Sequence, residues 1–535
     1  MYPYVYTYIW DMGKVAITNP TLKKKIMTCS IEKLIDFRKD VLHLFEEYFS
    51  DLIDGTEKKL LNESTVSADT TTTDAVPSIQ QPTIVRSSGI GKQFVEQNSL
   101  LTDLFKSTHF RTIYHIFIAS LIMLILNLMI QELALNGSIN LKLDLFYWCF
   151  GKFPMLITIW LSMFSSVVLL LYPSYHCWAY NVENLPSLNI LFLTLYIAYM
   201  AALIVVPIHY VLKFDLPLAT TMVIACEQVR FLMKAYSFVR ENVPKSFQYK
   251  AMKQRNKQKA DTVRDPCPDF GRFLYFLFAP TLIYRDNYPR KSKVEWKYVV
   301  RNFVEVAGCL FYAYYLFIHF CEPIFQNFNK DHVTWRNYLL ASLGCVLPGS
   351  LCFVLAFFAV LHCWMNAFAE MLQFSDRLFY ADWWNATSMS SYYRRWNIIV
   401  HDWLYAYVYQ DMQPLFGDSY RTAAMTVVFL LSAVVHEYII TLTLRFFYPV
   451  LFIQFFLCAG PIGIMRLMRS TNTRAWNVCL WFLIMLGNGI LMCTYSCEWY
   501  ARSNCPPVYN NFLDLIIPRS WTCQADAAEV IRLRR

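Results

Sequence analysis

Hydrophobic and polar positions along this chain fall into long blocks rather than the short periods of a soluble fold. Apolar runs of about twenty residues, enough for a helix to cross a hydrocarbon core, occupy residues 112–130, 153–172, 188–212, 299–320, 338–364, 423–444, 446–465 and 476–495. Each predicts a membrane-spanning helix. Continuous runs rather than alternation exclude a β-barrel. A weaker apolar run covers residues 216–226. Ahead of all of these, Ile31, Leu34, Ile35, Val41, Leu42, Phe45, Phe49 and Leu52 recur mostly at three- and four-residue steps. That spacing predicts an amphipathic helix, either docked on the protein's own surface or used for self-association. Residues 64–82, a Thr-, Ser- and Pro-containing polar tract, predict a disordered linker.

Charge turns these runs into a topology. Arg86, Lys92, Lys106 and Arg111 precede the first run, and residues 230–297 are dense in Lys and Arg. Both segments belong on the cytosolic side. An even number of crossings must separate them, so the weak run 216–226 counts as the fourth of nine spans. Arg466, Arg469 and Arg474 mark another cytosolic loop before the last span. The same counting places residues 374–411 on the cytosolic side and the C-terminal tail in the lumen.

Composition agrees: of 535 residues, 56% are hydrophobic, 17% aromatic and only 16% charged. The class is an all-α polytopic membrane protein. The net charge of +9 reads as cytosolic loops, since no nucleic-acid-binding motif accompanies it. Among sixteen cysteines there is no CxxC pair and no Cys/His spacing of a zinc site, so no metal is expected. Most lie in apolar runs, where a thiol behaves as a small hydrophobe. Cys505 and Cys523 instead sit in the polar tail, where a lumenal location permits a disulfide between them.

Candidate chemistry lies in two places. Residues 374–411 are too polar to span a bilayer and too aromatic for an ordinary solvated loop, which suits the membrane–water boundary. They contain Phe379-Tyr380-Ala381-Asp382-Trp383-Trp384-Asn385, then Tyr392-Tyr393-Arg394-Arg395-Trp396-Asn397 and His401-Asp402-Trp403. Residues 390–409 hold no Pro or Gly and predict one helix with Arg394, Asn397 and His401 on a single face. A cation, an amide and an imidazole together suit an anionic, amide-rich ligand such as coenzyme A; the spacing fits a polar face lining a loop equally well. The second place is the run 423–444, which carries His436. An ionisable residue inside a span is by default a functional hypothesis. Arg421, Ser432 and His436 share one face of that helix, which rises ~22 Å from Arg421 to His436, a reach comparable to a pantetheine arm. A buried imidazole stays neutral and suits a general base, and an amide N–H₂ suits donation to a developing oxyanion. His436 suits the first role and Asn397 the second. A cysteine nucleophile lacks a polar, activating setting.

Residues 379–385 fit the FYxDWWN signature of the membrane-bound O-acyltransferases. Ser432-Ala433-Val434-Val435-His436-Glu437-Tyr438 resembles the segment carrying that superfamily's histidine. Residues 392–405, Glu498-Trp499-Tyr500-Ala501-Arg502 and Pro518-Arg519-Ser520-Trp521-Thr522-Cys523 resemble the sterol O-acyltransferase branch. The resemblance implies a catalytic domain at residues 98–523 with about nine helices around a buried reaction chamber. It would be preceded by a cytosolic region at 1–97 and followed by a tail at 524–535. It implies catalytic His436 and Asn397, and an acyl-CoA site of Arg394, Asn397, His401, Tyr409, Arg421 and Ser432. Arg421 there reads as a replacement for Lys, and Ser391 stands where that branch often has Asn. His109 resembles a position linked to sterol binding. Asp382, Trp383 and Trp384 read as structural anchors. The implied partners are acyl-CoA, a sterol, the endoplasmic-reticulum bilayer and a second copy of the chain, as a dimer or dimer of dimers. No cofactor is implied, acyl-CoA being a substrate. The alternatives are diacylglycerol as acceptor and, from another class, a lipid or solute transporter. Against the transporter stands the lack of paired, Gly/Pro-broken short spans.

Overall fold

The computed structural model describes residues 92–138, 141–181, 185–255, 265–325, 334–412, 421–455, 473–507 and 511–522. The amphipathic stretch 31–52, the linker 64–82 and Cys523 lie outside them. All elements below belong to one compact unit.

Among the described residues the regular structure is helical, with two isolated β-bridges, Gln97 to Asp376 and Arg290 to Phe374. The long helices are α1 (Thr108–Asn136), α2 (Phe153–Ser166), α3 (Pro186–Lys213), α4 (Leu218–Arg255), α5 (Phe270–Phe278), α6 (Trp296–Leu316), α7 (Trp335–Gly344) and α8 (Val346–Ala356). After them come α9 (Met389–Trp396), α10 (Ile398–Leu404), α11 (Arg421–Leu444) and α12 (Thr473–Asn504). Wide π turns extend α2 at Val167–Leu171, α6 at Phe317–Cys321, α8 at Phe357–Trp364 and α10 at Tyr405–Tyr409. Seven helical stretches among the described residues are long and apolar enough to cross a membrane.

Two expected spans have a different form. All but the first two residues of the weak run 216–226 form the start of α4, a 38-residue helix that continues through the basic segment. The run 338–364 is broken at Cys345, which ends α7, and α8 then starts afresh at Val346. Pro348 supplies the reason: it has no N–H to give the Gly344 carbonyl, and its ring crowds that carbonyl. The break lets α8 press against α12. A Cβ on Gly489 would come within 2.6 Å of Val346 Cγ2, and one on Gly349 within 3.0 Å of the Asn488 carbonyl oxygen. Within the run 446–465, residues 446–449 are non-helical and residues 450–455 are helical, beyond which the run leaves the described residues.

The packed interior has two main parts. One joins α2, α3, α4 and α5 around Phe231, Phe238, Phe273 and Tyr284. The other gathers the aromatic segment at 379–407 against α8 and α12. The lipid-facing surface is apolar, as in α1, where Ile116, Met123 and Ile130 are exposed.

Candidate active site

His436 lies within α11. Its Nδ1 is 2.7 Å from the Ser432 carbonyl oxygen. A carbonyl only accepts, so Nδ1 carries the ring proton and Nε2 is left as the basic nitrogen. The Ser432 hydroxyl sits 3.5 Å from the same Nδ1. Phe455 covers the imidazole, with ring centroids 5.1 Å apart. His436 is exposed on α11. Leu430, Leu431 and Val434 are the large exposed apolar residues of α11. At 3.6 residues per turn they lie roughly 120–160° around the axis from His436.

The segment that holds Phe455 over His436 is fastened by residues the sequence reading passed over. Glu437 is buried and accepts the Phe452 N–H at 3.0 Å. Tyr495 of α12 accepts the Leu451 N–H at 3.1 Å and donates to Glu437 at 3.4 Å. A carboxylate and a hydroxyl at the start of this short helix satisfy N–H groups that have no partner within it. Glu437 was visible as an ionisable residue inside a span, which is itself a signal.

Asn397 corrects the expected helix. Residues 390–409 are not one helix: α9 stops at Trp396, Asn397 is extended (φ −137°, ψ 89°), and α10 begins at Ile398. The cause is long-range. The Ile398 N–H donates to the Phe379 carbonyl at 2.9 Å instead of continuing α9, and the Arg395 carbonyl accepts the Ala381 N–H at 2.9 Å. Freed from the helix, Asn397 caps α10: its Oδ1 accepts the Val400 N–H at 3.2 Å. The cap settles the amide's orientation, with Oδ1 engaged and Nδ2 available to donate. Tyr393, one turn before Asn397, packs on Phe429 of α11 and stacks on Phe455, centroids 5.4 and 5.9 Å away. The two candidate segments thus share an aromatic wall with the His436 ring.

The remaining acyl-CoA candidates divide. His401, Tyr405 and Tyr409 form a column of near-parallel rings, with centroids 6.3 and 5.4 Å apart. The π turn that completes the column packs against α11. His401 Nδ1 lies 3.3 Å from Asp402, whose other oxygen meets Lys92 at 2.9 Å. Burial by itself pushes the Asp402 carboxyl up, but hydrogen bonding from His401 and the Lys92 charge outweigh it and hold it below the usual carboxylate range. Arg394 is on α9 and exposed, its Nε donating to the Ser390 carbonyl at 3.1 Å. Because of the break at Asn397, it no longer shares a helical face with His401. Arg421 opens the uninterrupted helix that carries Ser432 and His436.

The FYxDWWN segment is a scaffold. Phe379, Tyr380 and Trp383 are buried. Tyr380 hydrogen-bonds His362 Nδ1 at 2.7 Å and accepts the Leu101 N–H at 3.3 Å. Asp382 accepts from Arg395 at 3.0 Å. Trp383 lies among Phe357, Trp396 and Trp481, and the Trp384 carbonyl accepts from Asn477 and Trp481 of α12 at 2.9 and 3.0 Å. Asn385 is exposed at the end of a short 3₁₀ turn. His362, like Glu437, was legible as an ionisable residue within an apolar run. His109 is exposed in the first turn of α1. The disulfide expected for Cys505 ends on Cys523, outside the described residues.

Comparison with known proteins places this geometry. The model of the membrane-bound O-acyltransferase family matches residues 143–497. Sterol O-acyltransferase 1 of Mus musculus is 40% identical over 520 residues, covering 96% of this chain and 94% of the relative. Sterol O-acyltransferase 1 of Chlorocebus aethiops is 46% identical over 438 residues, covering 81% and 78%. Sterol O-acyltransferase 2 of Homo sapiens is 43% identical over 436 residues, covering 81% of each. With the family match spanning most of the chain and both candidate segments inside it, this protein belongs to the membrane-bound O-acyltransferase family and is an acyltransferase.

Proposed function

We propose that this enzyme transfers a long-chain acyl group from acyl-CoA to the hydroxyl of a sterol, giving a steryl ester and free CoA. His436 is the general base. The observation that carries this reading is the Nδ1–H bond to the Ser432 carbonyl, 2.7 Å long, on a helix long and apolar enough to span the membrane. It leaves Nε2 to take a proton. In the step, Nε2 accepts the hydroxyl proton as the sterol oxygen bonds to the thioester carbon. Negative charge gathers on the carbonyl oxygen, where the Asn397 N–H₂ donates to it. The carbon–sulfur bond then breaks, and the CoA thiolate takes the proton from the imidazolium. Atoms and charge balance without an acyl-enzyme and without a cofactor beyond the acyl-CoA substrate.

Support for a sterol acceptor comes from the relatives, which are named for sterol O-acyl transfer over nearly the whole chain. The column His401–Tyr405–Tyr409 beside α11, with Arg394, Arg421 and Ser432, is assigned to acyl-CoA, and His109 to the sterol. The enzyme is placed in the endoplasmic-reticulum membrane as a homo-oligomer. A disulfide between Cys505 and Cys523 is assigned to its lumenal tail.

The test supplies purified enzyme or microsomes with labelled oleoyl-CoA and either cholesterol or diacylglycerol. Label in steryl ester, lost with His436→Ala, supports the reading. Label in triacylglycerol alone removes the sterol.

A further inference from the structure

Pro207 stands inside α3. Having no N–H, it leaves the carbonyl four residues earlier, that of Leu203, without a helical donor. In a membrane that carbonyl needs another partner. Gln228 of α4 provides one: its Nε2 donates to the Leu203 carbonyl at 2.9 Å and to the neighbouring Ile204 carbonyl at 2.7 Å. Gln228 is fully buried. Its Oε1 is turned the other way and accepts the hydroxyl proton of Tyr438. One amide thus ties a proline-containing helix, a second helix and α11 together, with both its ends engaged.

Tyr438 is two residues from His436. At 3.6 residues per turn it projects roughly 160° around the axis from the imidazole. Fastening that far side sets the rotation of α11 and therefore where Nε2 points. Tyr438 and Ile439 pack against the α2–α5 interior, so the tie anchors α11 to that packed core. Apolar packing alone resists rotation poorly, because it has no directional term, whereas a buried hydrogen bond does.

We propose that Gln228 and Tyr438 are positioning residues for the reaction, aiming His436 through the Pro207-derived carbonyl. This rests on the reading of His436 as the base. It assigns a role in the chemistry to two residues bonded to each other on the side of α11 away from the imidazole.

The experiment uses the full chain, purified and assayed with oleoyl-CoA and cholesterol, with folded yield read by gel filtration and kcat and KM measured per folded molecule. Tyr438→Phe keeps the ring and removes the tie. It is expected to lower kcat about tenfold, as misaimed catalytic groups do, with both KM values within about twofold. Gln228→Met should lower both kcat and folded yield, since the Leu203 carbonyl also loses its partner. Pro207→Ala returns an N–H to that carbonyl. Combined with Gln228→Met it should restore the yield and leave kcat low, because Tyr438 still has nothing to hold. Wild-type kcat in Tyr438→Phe overturns the proposal. So does recovery of kcat along with yield in the double variant, which also decides the matter should Tyr438→Phe fail to fold. His436→Ala run in parallel separates the two claims: if it stays active, the base assignment falls; if it is inert while Tyr438→Phe is not impaired, only the aiming role falls.

Discussion

The FYxDWWN segment and α11 are built on opposite principles. In the first, Tyr380, Asp382, Trp383 and Trp384 are bound to Leu101, His362, Arg395, Asn477 and Trp481 by side chain, backbone and ring contacts. In the second, one imidazole has, among the described residues, a single close bond, to its own helix. The densely bonded region carries no group assigned to the chemistry. Its backbone does something more indirect: Phe379 and Ala381 clamp the chain on either side of Asn397, forcing the break that turns this amide into a helix cap. A conspicuous motif can thus be the frame, while the reacting group is a single imidazole on a largely apolar helix.

The largest separation between the two regions should come from His436→Ala. A general base contributes on the order of 10²–10⁴ in rate, so ester formation should fall below a few per cent with expression nearly intact. Higher residual activity would put the base elsewhere. Next in size is Asn397. Asn397→Asp keeps an oxygen to cap α10 but loses the N–H₂, and should cost about 10²-fold in kcat with normal folded yield. Asn397→Ala should add about 1 kcal/mol of lost capping, seen as lower thermal stability. Equal activity of Asn397→Asp and wild type would leave the amide with a capping role only.

The opposite signature is expected from Trp383→Ala. Emptying that aromatic box should cost about 3–5 kcal/mol. The loss should appear chiefly as reduced folded yield, with kcat per folded molecule changing far less than for Asn397→Asp. A large kcat defect at normal yield would make the signature segment part of the chemistry.

The smallest effect concerns the Lys92–Asp402–His401 link, 2.9 and 3.3 Å long. Asp402 is held below the ordinary carboxylate range when folded. Its contribution is therefore full above the unfolded carboxylate value of about 4 and disappears as pH falls through the lower folded value. Melting temperature between about pH 6 and pH 3 should drop more steeply for wild type than for Asp402→Asn. Parallel curves would show that the link carries no stability.

The positions of most spans, and a histidine and an arginine on one continuous helix, could be read from residue order alone. Hydrophobic length and charge bias act within one segment, and a helix of fixed pitch converts spacing directly into a shared face. Only the tertiary structure decided that α9 ends at Trp396, because the N–H that would have continued it is taken by Phe379, nearly twenty residues earlier. It also decided that Glu437 and Tyr495 seat the segment over His436 and that Gln228 answers a proline on another helix. Those partners are remote in sequence, and a hydrogen bond depends on where both ends arrive, which no local pattern encodes.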